Sequence, residues 1–101
     1  MNGTTVTLTT SGTAYNLFTL VKAIQAGVSP SCCQLTITAD SGNGGNVYVG
    51  DSTVSTSIFG ARLPANGSAN FTASFNGIGM EAFYLAGDAS SQKVDIIANR
   101  I

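Results

Sequence analysis

The chain has 101 residues, which is room for one domain of ordinary size, here expected to span residues 1–101. Apolar residues make up 44%, too many for a disordered tail. Only 9% are charged, with a net charge of −1 and no basic cluster, which argues against an electrostatic grip on nucleic acid or an anionic membrane. Twelve Thr, eleven Ser, eight Asn and twelve Gly supply the polarity instead.

Residues 4–10 alternate Thr with apolar side chains and put Val6 and Leu8 on one face, a strand with one wet side. Leu17, Leu20, Val21 and Ile24 then recur at helical spacing. They predict one short helix over about residues 16–26, with Asn16 as its N-cap and Gly27 as its stop. Too short to stand alone in water, this helix is expected to lie across the end of a sheet as a lid. From Cys33 the period returns to two, with Cys33, Leu35, Ile37 and Ala39 facing one way. The Gly-rich stretch 41–46 reads as a hairpin loop leading into a returning strand at residues 47–49.

Residues 52–57 read as loop and 63–68 as a turn, with a further short strand expected at Ile58. A strand over residues 69–75 places Phe71, Ala73 and Phe75 on one side, and Asn76-Gly77 turns it. Residues 80–86 read as a strand with Phe83 and Leu85 inward, residues 87–91 as a turn, and residues 93–99 as the closing strand with Val94 and Ile96 on one face. The expected fold is all-β: a small antiparallel β-sandwich or jelly-roll-like barrel of 6–8 short strands with one short helix.

No catalytic constellation emerges. Without His, the many hydroxyls have no ordinary base, and neither Lys22 nor Lys93 sits in a recognisable Ser–Lys motif. The adjacent Cys32 and Cys33 make neither an ordinary disulfide nor a four-ligand zinc set, so Cys33 is read as a core residue and Cys32 as half-exposed. The 41–46 loop leads into a strand, whereas a phosphate cradle leads into a helix. Asp40 and Asp51 flank the expected hairpin and could meet at its base; with Glu81, Asp88 and Asp95 they read as solvated turn residues. The Asn-x-Ser/Thr triplets at Asn2, Asn66 and Asn70 fit chance in so Asn-, Ser- and Thr-rich a chain. No signal peptide and no membrane span are expected. Neither metal nor cofactor is called for.

Two tyrosines stand out. If Val47 and Val49 point inward, Tyr48 points out; if Phe83 and Leu85 point inward, Tyr84 points out. With Phe59 they are candidate interface residues, since aromatics are enriched at interface centres. The bland alternative is a pair of half-buried sheet tyrosines with wet hydroxyls.

Taken in order, the Thr-rich strand at 4–10, Tyr-Asn-Leu-Phe-Thr-Leu at 15–20, Cys-x-Leu-Thr-Ile-x-Ala-Asp at 33–40 and Gly-Asn-Val-Tyr-Val-Gly-Asp-Ser at 45–52 carry a resemblance. The chain resembles small β-sandwich virion proteins of tailed bacteriophages, of the capsid decoration (cement) type. The resemblance implies a structural protein, not an enzyme. Made in the host cytoplasm, it would bind the major capsid protein on the outer capsid surface as a trimer or dimer. A tail, baseplate or head-fibre module that binds host carbohydrate or another virion protein is the alternative, with Tyr48 or Tyr84 beside Asp51 or Asn46 as a sugar platform.

Overall fold

The computed structural model describes residues 3–27, 31–32, 34–72 and 78–99. In chain order the elements are β1 (Thr4–Leu8), β2 (Tyr15–Asn16), α1 (Leu17–Ile24), β3 (Ser31–Cys32), β4 (Gln34–Ala39), β5 (Val47–Gly50), β6 (Ala61–Leu63), β7 (Ser68–Thr72), β8 (Ile78–Gly79), a 3-10 turn (Met80–Ala82), β9 (Tyr84–Gly87) and β10 (Gln92–Asn99).

Pairing follows one rule. The first strand pairs with the last, the second with the second last, and so inward to β5 with β6, all antiparallel. The chain is thus one long two-stranded ribbon whose tip is the loop 51–60. Two further pairings, β10 with β4 and β9 with β5, roll the ribbon up. The result is a four-stranded sheet in the order β1-β10-β4-β7 facing another in the order β2-β9-β5-β6, with β3-β8 as a short third pair. This winding is a jelly roll, as expected from the sequence.

Alternation explains the core. Val6, Leu8, Leu35, Ile37, Ala39, Val94, Ile96 and Ala98 line the inner face of the first sheet, and Val47, Val49, Leu63 and Leu85 that of the second. Leu17 and Val21 from α1 and Met80 from the 3-10 turn join them. Asn16 caps α1, its Oδ1 accepting from the Thr19 amide at 3.1 Å, while its Nδ2 donates to the Glu81 carbonyl at 2.9 Å. The helix packs against β1, β2 and the 3-10 turn. It ends at Ile24, with the Gln25 amide bound to the Val21 carbonyl, before the expected Gly27 stop. Ile24, expected on the apolar stripe, is exposed at the last position of the helix.

Several expectations change. The loop 41–46 closes no hairpin: β4 and β5 lie in different sheets. The Asn43 side chain docks on β10, accepting from the Lys93 amide at 2.8 Å and donating to its carbonyl at 2.9 Å. Three residues on, the Asn46 amide donates to Asp88 Oδ1, just past β9, at 2.7 Å. The loop therefore steps from one sheet to the other, anchored at each. Gly45 lets the Asp88 carboxylate approach this closely, since a Cβ there would overlap it and force it to shift.

The short strand expected at Ile58 lies instead at β6, three residues further on, and shares only Leu63 with the turn expected over 63–68. Residues 80–82 form a 3-10 turn, not the start of a strand, since the Asn16 side chain claims the Glu81 carbonyl and the Leu17 amide that of Phe83. Leu85 is buried, whereas Phe83 is only partly so. Cys33, Ala73, Phe75, Asn2 and the Asn76-Gly77 turn lie outside the described residues, as does the Cys32 side chain.

Candidate contact surface

Alternation along β5 and β9 sends Tyr48, Tyr84 and Ala86 to the face of the second sheet away from the main core. That face is covered. Tyr48, Val54 and Ala86 form a second small core, with Ala14 and Tyr84 packed against it. Tyr48 is 5% exposed, so the expectation of an outward contact ring is corrected for this residue. Its hydroxyl donates to Asp88 Oδ2 at 3.3 Å, and Phe59 lies over it with ring centroids 5.0 Å apart. A tyrosine so enclosed offers no ring face to a sugar. Tyr84 is half-buried.

The cover is the ribbon tip, and short polar side chains build it. Asp51 Oδ1 accepts from the Thr53 amide at 2.9 Å and the Thr53 hydroxyl at 2.6 Å. The Val54 amide reaches the Asp51 carbonyl at 2.9 Å. Ser55 Oγ accepts from the Ser57 and Ile58 amides, and the Ser55 amide returns to the Ile58 carbonyl at 2.7 Å. Gly60 then rejoins the sheet through the Val49 carbonyl at 2.7 Å. Gly50 lets the tip seat closely: a Cβ there would come within 3.1 Å of Val54 Cγ2.

This folding leaves two apolar side chains outside. Ile58 is 59% and Phe59 42% exposed, side by side at the tip. Two clefts open nearby, and Ile58 and Phe59 line the first of them. This one, of about 270 Å³, is also lined by Val54 and Asp51. The other, about 350 Å³, runs from Val49 and Ala61 to Phe71 and Phe83, which meet edge to face at 4.9 Å. Asp51 borders both, and the Thr53 hydroxyl, then its amide, hold its carboxyl below the usual carboxylate range. The surface combines a fixed apolar tip, two mainly apolar hollows and one negative charge between them.

Asp40, Asp88 and Asp95 accept from nearby backbone amides or hydroxyls. Asp40 accepts from the Gly42 amide at 2.9 Å and Asp95 from the Thr5 hydroxyl at 2.6 Å. With no hairpin at 41–46, nothing brings Asp40 to Asp51. Glu81 is exposed on the 3-10 turn. The Lys22 ammonium lies 5.8 Å from the centroid of the Phe18 ring, and among the described residues neither it nor Lys93 bonds a serine through its side chain. Among those same residues no group of three or more potential metal ligands occurs, and no helix is long and apolar enough to cross a membrane. Sequence reading found Phe59 but missed its partner Ile58 and the covering role of Val54. Val54 was the available signal: it is the one apolar residue between 52 and 57. No family model, no curated protein and no solved structure matches the chain.

Proposed function

We propose that the protein is a non-enzymatic virion component of a tailed bacteriophage, a cement protein that binds the major capsid protein on the outer head surface as an oligomer. The observation that carries this reading is the Ile58–Phe59 tip, apolar, exposed and pinned by its own hydrogen bonds. A pinned tip loses little conformational freedom on docking, so more of the burial energy remains as affinity. The sequence resemblance points to the same role. The jelly-roll winding suits it, being used by viral capsid domains and by lectins, although a fold alone assigns no function. A charge-poor surface also lets copies crowd on a shell without strong repulsion.

In this mechanism the tip enters a hollow between neighbouring capsid subunits and bridges them. A ligand that binds only the intact lattice stabilises it by mass action. The test is addition of purified protein to preformed phage heads stripped of their outer proteins. Wild type should bind and raise the temperature at which heads rupture. Ile58→Asp, at a position already exposed, should weaken binding about tenfold or more while leaving the melting of the free protein unchanged. Heads that ignore the wild type, or bind Ile58→Asp equally well, would overturn the reading. Specific binding to host polysaccharide instead would move the protein to the tail or fibre.

A further inference from the structure

The two sheets have four edge strands, and three of them are protected. β2 has two residues before it enters α1. β6 has three, carries Arg62 and runs straight into Pro64. β1 has α1 packed against it, with Gln25 donating to the Thr4 hydroxyl. β7 is different. Its five residues, Ser-Ala-Asn-Phe-Thr, include no charge and no proline, and among the described residues its sole strand partner is β4. Short length, charge, proline or a covering element are the usual means of blocking an edge, and a bare edge offers a row of backbone donors and acceptors to another strand.

We infer that β7 pairs antiparallel with β7 of a second copy, in a two-fold dimer whose axis passes beside Asn70. The sequence of the strand selects this partner. Ala69 and Phe71 lie on the core side, while Ser68, Asn70 and Thr72 lie on the solvent side. Centring the pair on Asn70 sets Ala69 opposite the partner's Phe71, small against large and apolar against apolar. It also sets Ser68 opposite the partner's Thr72 and Asn70 opposite its own copy. No like charges meet, and both faces keep their polarity; a shift by one residue would set apolar side chains against polar ones. An isologous contact of this kind closes on itself as a dimer and does not propagate into a fibre. The two first sheets then become one continuous sheet, with the Phe71–Phe83 cleft beside the seam.

This pairing gives the proposed oligomer its surface and to that extent rests on the cement reading, but the two fail separately. A β7 dimer that ignores phage heads overturns the cement role alone; a monomer that binds heads overturns the pairing alone. The test is sedimentation equilibrium over a concentration series, where the mass should rise from 10.2 kDa toward twice that value. Asn70→Lys sets two ammonium groups at the axis and should weaken the dimer about tenfold, whereas Thr5→Lys on the opposite edge of the same sheet should not. Under oxidation Asn70→Cys should give a 70–70 link found by peptide mapping. Ser68→Cys should link to Thr72→Cys in a mixture but not to itself. If the variants unfold, hydrogen exchange on wild type decides, because β7 amides should become protected as concentration rises. A constant monomer mass, a dimer indifferent to Asn70→Lys, or β7 exchange independent of concentration would each overturn the inference.

Discussion

On the outer face of the first sheet, Thr5, Thr7, Thr36, Thr38, Lys93 and Asp95 lie open or half open to water. On the outer face of the second, Tyr48 and Ala86 are buried beneath the ribbon tip. Both faces obey the same period of two. They differ because the tip folds back over one sheet and nothing among the described residues folds over the other. Alternation therefore reports which side chains leave the main core, and loops decide whether those side chains meet water.

That comparison predicts a graded set of effects. Tyr48→Ala should destabilise the protein by about 3 kcal/mol, the cost of removing a buried aromatic, although the residue lies outside the main core. Urea unfolding would measure it, and a loss below about 1 kcal/mol would return Tyr48 to the surface class. The change should also release Phe59, visible as altered ring signals in NMR.

A smaller effect concerns Asp51. Its folded-state pKa lies below that of the unfolded chain, because the Thr53 hydroxyl and amide bond the charged carboxylate. The folded state gains from this above the ordinary carboxylate pKa and loses it as pH falls through the lowered value. Thr53→Val should raise the Asp51 pKa in an NMR titration, and its stability deficit should shrink in acid. The smallest effect belongs to the open face: Thr38→Ala should change stability by no more than about 0.5 kcal/mol in the same urea assay.

How much was legible can be traced residue by residue. The inward faces of β1, β4 and β10 followed from alternation, since each is a run of five or more residues with one apolar side. Asn16 announced itself as a cap because a short amide side chain before an apolar periodic run satisfies otherwise orphaned helix amides. β6 was invisible, being three residues long and ending at a proline. The 41–46 loop was misassigned because Gly and Asn mark a turn without stating which strand comes next to which. The contact tip was half legible: Phe59 carried an aromatic signal, whereas the exposure of Ile58 depends on hydrogen bonds that the Ser57 and Ile58 amides donate to Ser55 Oγ, which composition does not reveal.

Sequence alone determined the local rules: an all-β chain, the period of two, the capped helix and the inward faces of Val6, Leu35, Ile37, Val94 and Ile96. These are set by neighbours within a few residues, where backbone geometry leaves little choice. Tertiary structure decided the rest: that Thr4 stands opposite Ile96, that β4 and β5 part into different sheets, and that Tyr48 is sealed under Phe59. Such pairings join residues far apart in the chain, and many registers satisfy the same alternation. The one adopted is the one in which both sheets bury their apolar faces at once and every polar side-chain atom buried among the described residues finds a partner.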